Sequence, residues 1–571
     1  MAFLTKIPHQ RSLSTVSLLD YKGINYIQPT NPSIIGFGNP RNRWSITTTS
    51  LHWKQSLNAY DSICKEMSTI IGYQEDDHGK HTKLVKRIRR LIAEANDESF
   101  EDLIMVDALQ RLAIDYHFED EIDLILRRRY VQVNNTNLFE QQNLYHVSLC
   151  FRILRQNGFH VSADAFMKFK GSDDKFEGKL NNDIRGLMAL YEASHLRVEG
   201  EMILDEAETF SCQLLEDAMK FLDDEQVKLM VIHTLENPYQ KTLPLFNFNN
   251  SIKEFKGTIL QEVAEMEFNM MQSIHHMEID QISRWWRDLG LCQELILARD
   301  QPLKWYLWPL AALTNPNLSM HRIHLTKTIS LIYIIDDIFD VYGNIHELTL
   351  FTEAINRWDL NAIEELPYYM RSSFKAVYDI TNEIASKVYD EHGFNPITSL
   401  QKSWATLCNA FLVEAKWFAC GHIPMAKEYL KNGMVTSGVQ VLLVHMFYLL
   451  GNGTAEINHD HGIVSSVSKI LRLWDDLGSA QDENQDGHDG SYIKCFLNEH
   501  EGCSIKIARE HVIKLISDTW KSLNRECLSP NPYSPTFIKA CNNIARMVPL
   551  MYSYGDNGSL PLLNYYIKAM L

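Results

Sequence analysis

From about Leu51 onward, apolar residues recur at the three- and four-residue spacing of amphipathic helices rather than in strand-like alternation. The stretch Glu101 to Leu126 carries Val106, Leu109 and Ala113 on one side, with acids and Arg111 elsewhere. Ala508, Val512, Leu515 and Ile516 repeat the i, i+4, i+7, i+8 pattern. No period-two run with hairpin signals accompanies them, so the spacing predicts an all-α fold. The richest apolar stretch, Val439 to Leu450, is interrupted by Gln440 and His445 and reads as a core helix rather than a membrane span. Between Asn237 and Ser251, Pro238, Pro244 and clustered asparagines break the helical pattern, which places a domain boundary there.

Length and composition sharpen this picture. A chain of 571 residues exceeds the roughly 250–300 residues that one core serves, so two domains are expected. The pattern divides it into residues 1–50, an N-terminal helical domain over 51–250 and a second helical domain over 251–571. A net charge of −17 leaves no basic excess to neutralise a nucleic acid. It does not exclude a small anionic substrate, because carboxylates reach a phosphate through a shared divalent ion. The ten cysteines, from Cys64 to Cys541, form no CxxC pair; cysteine-held structural zinc is not expected, and they read as buried thiols in a reducing compartment. The first 50 residues hold Lys6, Arg11, Lys22, Arg41 and Arg43 against the single acid Asp20 and are rich in Ser and Thr. That composition suits a plastid transit peptide; a plain N-terminal extension on a cytosolic protein suits it too.

Two motifs carry chemistry. Asp336-Asp337-Ile338-Phe339-Asp340 ends the apolar run Leu331 to Ile335. On a continuous helix, Asp336 and Asp340 stack on one face and Asp337 points about 100° away. Two buried carboxylates there repel, and a hard divalent cation removes the conflict. In the second motif, Leu471 to Glu483, Asp475, Ser479 and Glu483 stand at i, i+4 and i+8, an oxygen-donor stripe two turns long. Arg472 lies one turn earlier, placed to meet an anion held by metals. Each motif alone is also what a solvated acidic helix face looks like; two in one helical chain are harder to dismiss.

The first motif resembles the DDxxD signature of class I terpene synthases, and the second their (N/D)DxxSxxxE signature, in the same order. Ala108-Leu109-Gln110-Arg111-Leu112, Tyr116-His117-Phe118 and the stretch from Gly186 to Ser194 are similar to plant members, and the likeness runs from about Leu51 to the C-terminus. The resemblance implies an α-barrel-like N-terminal domain and a C-terminal class I helical bundle. It implies that Asp336 and Asp340 bind two Mg2+ ions, that Asp475, Ser479 and Glu483 bind a third, and that Mn2+ can substitute. Asp337 then supports the first cluster through hydrogen bonds. Arg299, Arg472 and the metal-bound carboxylates meet the diphosphate of a prenyl substrate, while Trp308 forms an aromatic wall. Trp305 and Tyr306 adjoin it, and Tyr552, Tyr554 and Asp556 match a pocket-closing segment.

Two departures from the family pattern bear on the product. Its RxR element reads Arg299-Asp300-Gln301, so the second arginine is missing, which weakens capture of the diphosphate. Its tandem-arginine RRx8W element is reduced to Arg41-Asn42-Arg43 ahead of Trp53. Together with Pro302-Leu303-Lys304-Trp305 these resemble the subfamily that makes acyclic alcohols: linalool from geranyl diphosphate, nerolidol from farnesyl diphosphate. A cyclising synthase, a chain-elongating prenyl diphosphate synthase and a catalytically inert helical scaffold are the competing readings. A monomer or weak homodimer is expected. His459-Asp460-His461, among glycines, reads as a solvated turn, and His275-His276 as core or surface rather than ligand.

Overall fold

Helix formation follows the apolar spacing, and helix ends follow local capping chemistry. The computed structural model describes residues 77–95, 100–136, 138–296, 298–453, 457, 462–479, 491–530, 532–553 and 560–570. Among these there is no strand, only one isolated bridge between Lys170 and Phe176. The helices of the first half are α1 (Asp77–Glu94), α2 (Glu101–Arg111), α3 (Glu119–Asn135), α4 (Leu144–Gln156), α5 (Ile184–Ser194), α6 (Met202–Met219), α7 (Glu225–Glu236) and α8 (Phe248–Glu254). Then come α9 (Ile259–Leu289), α10 (Leu291–Glu294), α11 (Pro302–Ala312), α12 (Ser319–Asp337), α13 (Ile345–Arg357), α14 (Tyr368–His392) and α15 (Ile397–Cys420). The chain continues through α16 (Ala426–Thr436), α17 (Val439–Leu449), α18 (Ile463–Ser479), α19 (Tyr492–Glu499), α20 (Ile505–Leu528), α21 (Pro535–Tyr552) and α22 (Pro561–Met570). Among the described residues no helix is long and apolar enough to cross a membrane.

Two expectations of continuity are corrected. The helix anticipated across Glu101–Leu126 is broken after Arg111: Ala113 turns left-handed at φ 55°, and residues 115–117 form a 3-10 turn before α3 begins. The break anticipated over Asn237–Ser251 is shorter, because two 3-10 turns give way to α8 at Phe248. Proline at 238 and 244 stops a helix only where its missing N–H is needed, and Phe248 onward carries no such obstacle.

One large apolar cluster runs from Ile88 to Ala264 and another from Leu243 to Met570. Helix α9 contributes to both: Thr258 caps its start through the Gln261 amide, and left-handed Gly290 ends it. Hydrogen bonds join the two clusters, from Asn524 Nδ2 to the carbonyls of His195 and Arg197, each 2.9 Å, and from Arg546 Nε to Gln240 O at 2.9 Å. Within the second cluster α12 is buried nearly throughout and packs on α9, α11, α14 and α17. Its charged Arg322 is fully buried and meets Glu278 of α9, with Nη2 2.6 Å from Oε1; Tyr306 of α11 donates to the same carboxylate at 2.7 Å. Helix α18 packs on α16, α17, α20 and α21. The two motif helices thereby stand in one apolar body.

Candidate active site

The aspartate motif closes α12 differently from a continuous helix. Asp337 is the last α-helical residue, and Ile338–Tyr342 form a π turn sealed by Gly343 N to Ile338 O at 2.9 Å. A wider turn rotates Asp340 away from simple i, i+4 stacking on Asp336. The burial pattern also differs from the expectation of two buried carboxylates: Asp337 is buried, Asp336 is part-exposed and Asp340 is exposed. The motif lies where the core helix emerges, so its first and last acids reach solvent while the middle one is enclosed. Gly343 then admits the chain past Leu348, whose side chain a Cβ at position 343 would overlap. Asn344 and Glu347 form a capping box that starts α13.

Arg299 binds this motif from outside. Its backbone amide and Nε donate to the two oxygens of Asp337, each at 2.8 Å, its Nη2 donates to Asp336, and its guanidinium lies 4.6 Å from the Tyr333 ring. Burial works against the Arg299 charge, but Asp336 and Asp337 outweigh it and hold the guanidinium above its ordinary range. The cation that relieves Asp336 and Asp337 in this structure is therefore an arginine. Next to it, Asp300 accepts from Trp286 Nε1 at 2.8 Å, and Gln301 is exposed. Trp308 is buried and hydrogen-bonds Tyr333.

The second row is held by α16. Arg472 Nε donates to Gly433 O at 3.1 Å, and its Nη1 lies 3.1 Å from Asp475 and 3.5 Å from Asp476. A Cβ on Gly433 would sit 3.1 Å from Arg472 Cδ, so a side chain there would crowd the arginine. Buried Asp476 accepts from Tyr429 OH at 3.0 Å and from Tyr492 N at 2.9 Å, which ties α19 to the end of α18. Ser479 ends α18; Glu483 lies outside the described residues, as do Tyr554, Asp556, His459 to His461, Trp53 and the first 50 residues. His275 is buried and meets Met570 O, whereas His276 is exposed.

The rows act on each other electrically. Partial burial pushes the Asp475 carboxyl up; Arg472 opposes the shift and Asp336 adds to it. The surrounding protein, with Asp336 and then Glu414, pushes Asp340 up to about 7. Glu414, from α15, was not among the sequence candidates; it accepts from Asn432 Nδ2 at 3.0 Å and Thr436 Oγ1 at 2.9 Å, and burial raises it against the pull of Arg472. Its signal in the sequence is a single acid in the stretch Phe411 to Phe418, where Lys416 is the other charged residue. Lys304, one helical turn before Trp308, also joins this field between Arg299 and Asp475. Six carboxylates (Asp336, Asp337, Asp340, Glu414, Asp475, Asp476) thus share three cations, Arg299, Lys304 and Arg472. An uncompensated set of hard oxygens suits Mg2+.

Comparison with known proteins supplies the family. The terpene synthase metal-binding domain matches residues 287–522, and the terpene synthase N-terminal domain matches residues 52–235. An (E)-nerolidol synthase of Cannabis sativa is 47% identical, over 90% of this chain and 97% of its own. A chloroplastic S-(+)-linalool synthase of Arabidopsis thaliana is 44% identical, over 86% and 88%. The crystal structure of isoprene synthase from grey poplar (Populus x canescens), in complex with three Mg2+ ions and dimethylallyl-S-thiolodiphosphate, superposes with a TM-score of 0.77 at 34% identity, covering 87% of this chain and 96% of that one. Limonene synthase with 2-fluorolinalyl diphosphate superposes at 0.81 and 31% identity, covering 87% and 95%. The all-helical architecture is the two-domain terpenoid synthase fold, and the chain belongs to the terpene synthase family.

Proposed function

We propose that this enzyme ionises geranyl diphosphate, farnesyl diphosphate or both, and that water quenches the allylic cation to give the acyclic tertiary alcohols linalool and nerolidol. The observation that carries the ionisation is the shared field of two carboxylate rows, Asp336 with Asp340 and Asp475 with Arg472, at the open end of an apolar core. Mg2+ bound between the rows (three ions, with Mn2+ as a substitute) would offset the charge developing on the departing diphosphate. Asp336, Asp340, Asp475, Ser479 and Glu483 are the residues we assign to hold it. Arg472, fixed by Gly433 O and Asp475, presents its guanidinium edge to the diphosphate oxygens, and Arg299 joins it once its own aspartates are otherwise engaged. Asp337 positions Arg299, and Trp308 with Tyr333 lines the wall nearest the first row. Apolar surroundings exclude bulk water until the C1–O bond has broken; one water then adds at C3 and releases a proton.

The acyclic outcome is supported by the nerolidol and linalool synthases among the relatives and by the exposed Gln301 in place of a second arginine. The likeness to limonene synthase favours the alternative of a cyclising enzyme. Incubation of purified protein with each diphosphate and Mg2+, followed by chiral gas chromatography, decides between them. Linalool and nerolidol are expected, and cyclic hydrocarbons as the dominant output would overturn the product assignment. A requirement for isopentenyl diphosphate would instead indicate chain elongation. We further assign residues 1–50 as a plastid leader, 51–250 and 251–571 as the two domains, and a monomer or weak homodimer as the working state. The chloroplastic name of the Arabidopsis relative supports the plastid, and a cytosolic signal from a leader–reporter fusion would contradict it.

A further inference from the structure

The break after α2 brings Tyr116 and His117 onto α9, about 150 residues later in the chain. There Glu267 sits in the buried stripe of α9, only 4% exposed. His117 Nε2 lies 2.6 Å from Glu267 Oε1, and His81 Nε2, from α1, lies 2.5 Å from the same oxygen. The two imidazoles are 5.4 Å apart and inclined by 53°, so they are not stacked; both turn a nitrogen toward one point. The Tyr116 hydroxyl donates to the other oxygen, Glu267 Oε2. His81 Nε2 is enclosed yet makes no hydrogen bond, although a carboxylate oxygen is beside it: its donor axis misses that oxygen. His117 hydrogen-bonds Glu267, whereas His81 Nε2 stands beside the same oxygen with no hydrogen bond, and the three ligand atoms all lie within 4.8 Å of each other, close enough to share one cation.

We propose that His81, His117 and Glu267 form a second cation site, structural in role and suited to a borderline transition ion such as Zn2+. Two imidazole nitrogens and one carboxylate are a zinc-type donor set, whereas Mg2+ prefers oxygen, so this site and the aspartate rows select different metals. Tyr116 orients the carboxylate by binding its second oxygen. A small cavity borders the Tyr116–Glu267 side of the cluster, lined by Tyr116, Glu267, Met271, Gln272 and His275 among others. The ion would tie α1 and the 115–117 turn to α9, the helix shared by both apolar clusters.

The full-length protein, stripped with a chelator and returned to excess Mg2+ so that hard-oxygen sites are filled, is titrated with Co2+ and then Zn2+. We expect one equivalent of Co2+ with the intense visible bands of low-coordinate nitrogen ligation, displacement of those bands by Zn2+, and a higher Tm with Zn2+ bound. His117→Gln and Glu267→Gln each abolish the bands and the Tm rise, and Tyr116→Phe weakens Zn2+ by about 10-fold or more. Should Glu267→Gln fail to fold by circular dichroism, His81→Gln decides, since it removes one ligand and leaves the His117–Glu267 contact in place. Failure to retain Zn2+ in excess Mg2+, or bands unchanged in the histidine variants, shows a hydrogen-bonded cluster only and overturns the site. Metal retention is read without turnover, so this result stands apart from any test of terpene formation.

Discussion

Arg299 grips Asp337 from two directions, through its backbone amide to Oδ2 and its Nε to Oδ1, both at 2.8 Å. The amide bond fixes where the segment before α11 meets α12, and the side-chain bond fixes which way the guanidinium faces. Asp337 is therefore a positioning residue for Arg299. In Asp337→Asn one acceptor becomes a donor and the guanidinium loses its anchor. We expect kcat/KM to fall by about 10–100-fold, since misplacement of a substrate-positioning group by an ångström costs that much. Arg299→Lys should not do better, because a point charge cannot serve Asp336 and Asp337 together. Steady-state kinetics with geranyl diphosphate would test both; wild-type rates in Asp337→Asn would remove the positioning role.

Asp340 makes the metal-free protein sensitive to pH in an unusual direction. Its folded carboxyl sits at about 7 against an ordinary 3.8, so the folded chain holds the proton more tightly than the unfolded chain. That contribution is fully present below 3.8 and is lost as pH rises through 7. The Tm of chelated enzyme should accordingly fall between pH 5 and pH 8, and Mg2+ should restore it. Asp340→Asn should flatten the fall and abolish turnover. A Tm independent of metal at pH 8 would contradict the coupling.

Glu414 shares that field, and its neutral amide counterpart leaves the shape unchanged. Removing its charge should lower the Asp340 carboxyl, so in Glu414→Gln the pH midpoint for Mg2+ binding moves down while maximal affinity weakens. Calorimetric titration of Mg2+ across pH 6 to 8 measures both; an unmoved midpoint would separate Glu414 from the metal rows.

Gly438 is required twice over. Its φ is +72°, and a Cβ there would lie 2.5 Å from Ile332 Cγ2 on α12. Gly438→Ala should cost about 2–4 kcal/mol, the sum of a left-handed penalty and overpacking. Adding Ile332→Val should recover part of that, because it thins the side chain beneath. Urea denaturation of the single and double variants would show the coupling, and strict additivity would refute the contact.

Arg322 and Glu278 form a fully buried pair between α12 and α9. Arg322→Ala leaves that carboxylate enclosed without its cation, with Tyr306 still donating to it, and should cost about 3–5 kcal/mol. Arg322→Ala with Glu278→Ala should cost less than the sum of the single changes. Denaturant midpoints for the cycle supply the test.

Much of this molecule was legible from the chain itself where neighbours in sequence decide the outcome. Apolar spacing announced α20 and α17, and Arg472 and Asp475, three residues apart on α18, lie 3.1 Å from each other. Local rules failed where a packing partner overrode them. Ala113 takes a left-handed conformation that no composition signals, and the turn after Asp337 is wider than the i, i+4 rule assumes. The second arginine of the RxR element is absent, and Lys304, a further cation in the field of Arg299 and Asp475, entered the sequence reading only as part of the stretch Pro302 to Trp305.

The sequence by itself settled that the chain is helical and that its two acidic motifs stand in the order of the terpene synthases. Periodicity suffices for those, since it assigns each residue a face of its own helix. Tertiary structure alone decided that Arg299 occupies the first row, that Glu414 joins it from α15, and that His81, His117 and Glu267 converge. Those relations link positions tens to hundreds of residues apart, and which faces meet is decided by how helices pack around a shared core, not by spacing along any one of them.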